Sequence, residues 1–284
     1  MTNKIQGIYQ GKLDNLDNIK VSPLSRAYLF SDSLYEVIPF QDKKFIYFQQ
    51  HIDRLIYSSS ELKISINIEQ IQKEIICLLD QSKHKNGYIY YQVSRGIDAI
   101  RSHIYDSGIS CETFGYLMPL EFKSKPLKVA ICNDIRWGRC DIKTTSLLGN
   151  VLQMNNASQD DCDEIIMHKD NFITEGGASN IFFVKDNKIH TPCLSKQILP
   201  GITRAILIEI IKENKMPFEE GSYHIDELKD ASCIWFTSST KGVAPVSEVI
   251  NSKNILDLDN ELMKRCQDLF QKKIASYLLF LIHI

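Results

Sequence analysis

Apolar and polar positions change their rhythm repeatedly along this chain, and the changes mark out its elements. SLYEVIPF and KKFIYFQQ, meeting around Gln41-Asp42, are dense in β-branched and aromatic residues and predict a turn-linked strand pair. From His51 through SSSELKI the pattern is helical. IEQIQKEIICLLDQSKHKNG predicts a second helix, stopped at Asn86-Gly87. GYIYYQVSRG and FGYLMPL read as strands, and EFKSKPL, charged and bearing a proline, reads as a connector between domains.

The second half opens on the strand LKVAICNDI and a helical run near KTTSLLGNVLQMNNAS. DEIIMH and FIT then join across Lys169-Asp170-Asn171, and NIFFV and KIHTP join across Lys185-Asp186-Asn187. A helix from Thr203 ends near Glu213-Asn214, with Pro217 beyond it. The strand CIWFTSST leads through a loop to an amphipathic helix around LDNELMKRCQDLFQKKI. The expectation is an α+β, mixed α/β chain with much antiparallel sheet and no internal repeat. Residues 1–119 form one domain, 120–126 the connector and 127–284 the other.

Composition narrows the class of partner. A length of 284 residues is natural for two domains. With 33 basic and 35 acidic side chains, a net charge of -2 disfavours nucleic acid or an anionic membrane and favours small soluble molecules. The eight cysteines include no C-x-x-C pair and no cluster with histidine at metal-ligand spacing, so they read as scattered buried thiols in a reducing compartment, with no metal site. MTNKIQGIYQGKLDN lacks the apolar core of a signal peptide, and no segment reaches about 20 apolar residues. The chain therefore reads as cytoplasmic. The apolar tail IASYLLFLIHI is too short to span a bilayer and is expected to pack onto a core or a partner subunit. The histidines at 84, 168, 190, 224 and 283 carry no motif and read as structural or solvated.

Candidate chemistry begins at LPGITRAILIEII. Gly201, Ile202 and Thr203 open a helix there, and its first amides, lacking intrahelical partners, make an anion site. Taken alone, self-capping by Thr203 accounts for the pattern. Lys143 lies in DIRWGRCDIKTTSLLGN and Glu175 in ITEGGASN, between two strands with the look of buried ones. Separately these read as a lysine snorkelling from a helix and a turn acid. Together with the anion site they are the parts a pyridoxal-phosphate enzyme needs: an amine that forms a Schiff base, and a carboxylate that pairs with the ring nitrogen.

The ordered set SDSLYEVI, HIDRL, QVSRG, DIRWGRCDIK, ITEGGASNIFFV, ILPGITR and FTSSTKGVAPV resembles the class IV, or fold type IV, pyridoxal-phosphate aminotransferases over nearly the whole chain. That family includes D-amino-acid aminotransferase, branched-chain aminotransferase and aminodeoxychorismate lyase. The resemblance implies a smaller N-terminal α/β domain and a larger C-terminal domain with a barrel-like β core. It implies pyridoxal 5'-phosphate as cofactor, Lys143 as the Schiff-base lysine and Glu175 as the partner of the ring nitrogen. Arg54, Ile202 through its amide, Thr203, Ser238 and Ser239 would bind the phosphate, and Leu199 would pack against the ring.

Within the family, Arg101-x-His103 resembles the carboxylate trap of the D-amino-acid enzymes, which works with the tyrosine at Tyr35 and reaches the site from the neighbouring subunit of a homodimer. By itself the pair would read as an exposed basic loop. The implied reaction is ping-pong transfer of the amino group of D-alanine or a similar D-amino acid to a 2-oxo acid such as 2-oxoglutarate, with Lys143 as nucleophile and general acid/base. The chain departs from the pattern in four places. The trap loop is one residue longer and lacks its proline; Gly177-Ala178-Ser179 stands where hydroxyl residues are usual; Ser31 and Ser33 flank Asp32 where glycines are common; and Pro39 replaces a longer side chain. The alternatives are an L-specific branched-chain aminotransferase, an aminodeoxychorismate lyase, and an idle phosphate-ligand binding protein. Lys143 and Glu175 together stand against the last.

Overall fold

A computed structural model describes residues 5–280, which fold as two units. The first takes the described residues up to Glu121 together with Ile142–Ser146; the second takes Phe122–Asp141 and the chain from Leu147 onward. Ile142–Ser146, with Lys143 in it, thus belongs to the first unit, although the sequence pattern groups it with the second half.

The first unit runs β1 (Gln6–Tyr9), β2 (Lys12–Asn15), α1 (Arg26–Phe30), β3 (Ser33–Gln41), β4 (Lys44–Phe45), α2 (Phe48–Leu62), α3 (Ile68–Gln81), β5 (Gly87–Ser94) and β6 (Glu112–Pro119). Its sheet, ordered β2-β1-β6-β5-β3-β4, is antiparallel throughout. Period-2 alternation sends Leu34, Ile38 and Phe40 to one face, where they pack with Ile52, Leu55, Ile71, Ile75 and Leu78 of the two long helices. Each such side chain stabilises the fold by about 1.5–3 kcal/mol when fully buried. The opposite face is polar and aromatic. Ser33 pairs with Ser94 and Tyr35 with Gln92; the Tyr35 ring stacks on Tyr90 at 5.4 Å, and Tyr90 on Tyr116 at 5.1 Å.

Two sequence expectations are corrected in this unit. KKFIYFQQ is not a full strand: only Lys44–Phe45 pairs, Tyr47 turns left-handed, and α2 begins at Phe48 rather than His51. Positive φ at Asp42 and Lys43 makes the two-residue hairpin turn that the strand twist favours. The second long helix stops at Gln81, not at Asn86-Gly87. Lys43 explains the early stop, because its Nζ donates to the carbonyls of Leu79 and Ser82 and so satisfies the open C-terminal end.

The second unit contains β7 (Leu127–Asn133), α4 (Leu148–Ser158), β8 (Glu164–Lys169), β9 (Phe172–Gly176), β10 (Asn180–Lys185), β11 (Lys188–Pro192), α5 (Ile202–Glu213), β12 (Phe218–Gly221), β13 (Cys233–Ser238), β14 (Gly242–Val249) and α6 (Glu261–Phe280). Its sheet is ordered β12-β11-β10-β13-β14-β7-β8-β9. Just past β12 the chain returns to the far edge: Ile173 N donates to Tyr223 O at 2.9 Å, and Ile225 N donates to Asn171 O at 2.8 Å. The sheet therefore curls on itself around Val129, Ile166, Ile181, Phe183, Phe236 and Val246, giving the barrel-like core that the family resemblance implies. Both hairpins come as expected, with left-handed Asp170-Asn171 and Asp186-Asn187 at their turns. Thr203 lies one residue inside α5, whose N-cap is Gly201 and has no side-chain cap, so self-capping by Thr203 does not occur.

Strand β14 was hidden from the pattern by Pro245, a residue that argues against a central strand. In α6 the apolar tail buries Ile274 and Leu278 but exposes Leu279 and Phe280; its last four residues, His283 among them, lie outside the described residues. No helix of the described residues is long and apolar enough to cross a membrane. Cys193 is exposed and Cys77, Cys111 and Cys132 are half-buried, so only half of the thiols are buried as expected.

Candidate active site

Lys143 is not on a helix. Ile142–Ser146 forms an extended strap along the start of β3: Tyr35 N donates to Lys143 O at 3.0 Å, Thr145 N donates to Ser33 O at 3.1 Å, and Thr144 bridges to Leu34. Lys143 N donates to Ser58 Oγ of α2 at 3.2 Å. Its Nζ stands 4.4 Å from the centroid of the Tyr35 ring. Among the described residues the ammonium makes no ion pair or hydrogen bond. The polar face of this sheet also lines a cavity of about 490 Å³, with Gln92, Ser94, Phe114 and Thr145 on its wall.

Arg54 sits one turn before Ser58 on α2, facing the inward side of β3. Its Nε and Nη2 donate to the two oxygens of Glu36 at 2.7 Å each, and His51 Nδ1 lies 2.7 Å from the same carboxylate. All three are buried. Burial pushes the Glu36 carboxyl up, but the Arg54 guanidinium and His51 outweigh it and hold the group well below the ordinary carboxylate range. Burial, with the charges of Arg54 and Lys143, keeps His51 below its usual value against the pull of Glu36. Glu36 and His51 were not singled out in the sequence. The signal was there in LYEVI, where period 2 places a carboxylate among core residues.

Arg101 and His103 lie on an exposed loop, as an unassigned R-x-H pair would. Both meet one ring, Phe30 of α1, at 4.9 Å for the Arg101 guanidinium and 5.4 Å between the His103 and Phe30 rings.

In the second unit Glu175 lies within β9, not between strands, and is buried. It accepts from Arg136 Nη1 at 2.5 Å, Asn180 Nδ2 at 2.9 Å and Leu199 N at 3.1 Å. Burial nevertheless raises its carboxyl to about 7, the Arg136 charge offsetting only part of the rise. The reason is that Arg136 is shared. Its Nε and Nη2 donate to Asp134 at 2.9 and 2.7 Å, and that carboxyl is held below its ordinary value despite its own burial. Arg136 is a third residue that was not singled out in the sequence.

Asn180 ties the parts of this unit together. Besides Glu175 it donates to Leu199 O at 3.0 Å, and it pairs across the sheet with Thr237, next to Ser238. A Cβ on Gly201 would meet Asn180 Oδ1 at 2.0 Å, so only glycine lets the α5 N-terminus come this close. The amides of Ile202 and Thr203 therefore open the helix with no side chain across them. Ser238 Oγ accepts from Lys241 N at 3.1 Å, and Ser239 follows in the turn after β13. Below the turn after Glu175, fully buried Glu164 accepts from Gly177 N at 2.9 Å, Ser179 Oγ at 3.0 Å and Lys241 Nζ at 2.9 Å. Ser179 is thus a brace for that turn.

Each unit gathers its own set. The first holds an unpaired lysine on a tyrosine ring and an oriented arginine; the second holds a buried carboxylate with only donors around it and an open helix N-terminus, an arrangement that suits an anion. Residues 33–249 match the family model described as amino-transferase class IV. A curated relative, the D-alanine aminotransferase of Staphylococcus epidermidis strain RP62A, is 33% identical over 275 residues, covering 94% of this chain and 97% of its own. Among solved structures, the branched-chain amino acid aminotransferase of Escherichia coli superposes with a TM-score of 0.86 at 19% identity, over 95% of each chain. A chain described as a 4-amino-4-deoxychorismate lyase from Legionella pneumophila does so at 0.82 and 23%, over 90% of this chain and 97% of that one. These two likenesses establish the fold.

Proposed function

This chain belongs to the amino-transferase class IV family, and from that premise we propose that it moves the amino group of a D-alanine-like amino acid to a 2-oxoglutarate-like 2-oxo acid, using pyridoxal 5'-phosphate. The residues fit that cofactor. The uncapped amides of Ile202 and Thr203 suit its phosphate, and the donors around Glu175 leave a carboxylate able to accept from one more N–H. By the family resemblance Arg54, Thr203, Ser238 and Ser239 would also bind the phosphate, and Leu199 would pack against the ring. When bound, the cofactor supplies an aldehyde that condenses with amines and a ring that accepts electrons from the substrate α-carbon.

The chain's own residues then have separable tasks. Lys143 would hold the cofactor through its amine and, as a free amine, would take the substrate α-proton on Nζ and give it back. With no ion pair among the described residues, that amine has only its contact with the Tyr35 ring to leave in order to act. Glu175, as a carboxylate, keeps a proton on the ring nitrogen. Arg101, His103 and Tyr35 grip the substrate α-carboxylate, with a second copy of the chain completing each site as a homodimer. Eight unpaired cysteines suit a reducing cytoplasm.

The observation that carries the D-amino-acid choice is that Arg101 and His103 meet the same Phe30 ring, which sets two donor-bearing side chains side by side. The test gives the purified protein racemic alanine, 2-oxoglutarate and pyridoxal phosphate and follows each enantiomer by chiral chromatography. Consumption of D-alanine with formation of glutamate supports the reading. Consumption of the L form moves the chain to the L-specific class, and pyruvate release from aminodeoxychorismate without an amino acceptor moves it to the lyases.

A further inference from the structure

Resting on the reading of Arg101 and His103 as carboxylate-binding residues, we propose that Arg26 is the positioning residue that holds their loop in place. The loop has little to hold itself. Ile100 and Ile104 are 68% and 85% exposed, no regular element runs from Arg95 to Cys111, and no proline stiffens the stretch. A grip on a small carboxylate nevertheless needs both side chains fixed before the substrate arrives.

Arg26, the first residue of α1, is only 3% exposed, and its backbone N donates to Gly96 O at 2.9 Å. Its Nη1 donates to Ser102 O at 2.7 Å, the carbonyl between the two gripping residues. Fixing that carbonyl fixes the Ser102–His103 peptide plane, which carries the His103 Cα and to which Arg101 is joined one residue earlier. On its other edge, Arg26 Nε donates to Asp32 Oδ2 at 2.9 Å, and Asp32 is itself clamped by Arg95 Nε at 2.7 Å and Nη2 at 3.0 Å. The Arg26 guanidinium also lies 4.7 Å from the centroid of the Phe30 ring, whose aromatic surface the two gripping residues share. Tyr105, at the loop's return, covers Arg95 at 3.9 Å and Arg26 at 5.6 Å. Arg26 thus couples the loop tip to the ends of β3 and β5 through one buried guanidinium, in a forked geometry that lysine cannot reproduce.

The test compares Arg26→Met, Phe30→Leu and Arg101→Met in the pyridoxal-phosphate-loaded enzyme. In Arg26→Met, hydrogen exchange over residues 99–106 accelerates. KM for the amino donor rises about tenfold with loss of the hydrogen bond to Ser102 O, while kcat and cofactor affinity stay within about twofold. Phe30→Leu, which keeps the guanidinium's hydrogen bonds, raises KM less. The Arg26→Met/Arg101→Met double variant is less impaired than the two single effects combined, because only His103 is then left for the loop to present. Unchanged exchange over 99–106 in Arg26→Met overturns the proposal, as does a fall in kcat and melting temperature without a rise in KM. An Arg101→Met enzyme with unaltered KM would instead overturn the carboxylate reading, and faster exchange in Arg26→Met would still show that Arg26 holds the loop.

Discussion

Arg136 donates to Glu175 at 2.5 Å, yet the same guanidinium commits two other donors to Asp134, and Glu175 is left with a carboxyl raised to about 7 by burial. The group's unfolded value lies near 4.5, so between about 4.5 and 7 the folded chain holds a proton that the unfolded chain has lost. Its contribution to stability is full below the unfolded value and is lost as pH rises through 7. Glu175→Gln cannot ionise and escapes that loss. In protein without cofactor, the melting temperature of the variant minus that of the parent is expected to grow from pH 5 to pH 8, by the equivalent of at most on the order of 3 kcal/mol. A difference that stays flat with pH would rule the account out.

Glu36 behaves in the opposite sense. Its carboxyl is depressed by Arg54 and His51 against its own burial, so its contribution is present above the ordinary carboxylate value and is lost only as pH falls through the lower folded one. Glu36→Gln takes from the buried Arg54 guanidinium the carboxylate charge that faces it and is expected to cost about 3 kcal/mol, a fall of roughly 6–12 °C in melting temperature at pH 7. The two carboxylates thus shift stability with pH in different windows, Glu175 as pH rises towards 7 and Glu36 only as it falls below the ordinary carboxylate range. Calorimetry of both settles whether burial or pairing governs each carboxylate.

Much of this was legible because periodicity and turn chemistry are local. Asp170-Asn171 and Asp186-Asn187 announce their hairpins from two residues each, and the ordered motifs point to Lys143 and Glu175 as candidates. What stayed hidden depends on contacts far apart in sequence. Lys143 joins an otherwise helical-looking run, and only the backbone pairing of Ile142–Ser146 with residues 33–35 makes it a strap instead. The Glu36 pair, the sharing of Arg136 and the Arg26 fork are charges satisfied by partners that no window of the sequence brings together. Strand β14 was missed for a local reason, since a proline overrode an otherwise strand-like run.

The strap also makes a clean experiment of Lys143. Its hydrogen bonds to Tyr35 and Ser58 are made by the Lys143 backbone, so Lys143→Ala removes the ammonium and its contact with the Tyr35 ring but not the strap itself. The loss in stability should be about 1 kcal/mol, the worth of a half-buried cation–π contact. Borohydride reduction of protein incubated with pyridoxal phosphate, followed by peptide mass spectrometry, is expected to fix the cofactor's mass on the peptide carrying Lys143. In the alanine variant no peptide should carry it, and turnover should be nearly abolished. A variant that keeps both the adduct and the turnover would remove Lys143 from its role.

Gly201 offers the sharpest steric test of the second unit. Its φ of -66° is open to any residue, so the constraint there is space alone. A methyl group would have to displace the Asn180 amide, whose oxygen stands 2.0 Å from the added Cβ, and with it the hydrogen bonds to Glu175 and to Leu199 O. Gly201→Ala is therefore expected to cost about 2 kcal/mol of stability, roughly 1 for each hydrogen bond. It should also weaken pyridoxal-phosphate binding in an absorbance titration by about tenfold as the Leu199–Thr203 turn loosens. Asn180→Ala opens the room that the methyl needs. In an Asn180→Ala background the same Gly201→Ala change should add little, so the two substitutions fall well short of additive. Full additivity would mean that the methyl is accommodated elsewhere and that the close approach of the helix to Asn180 does not govern the site.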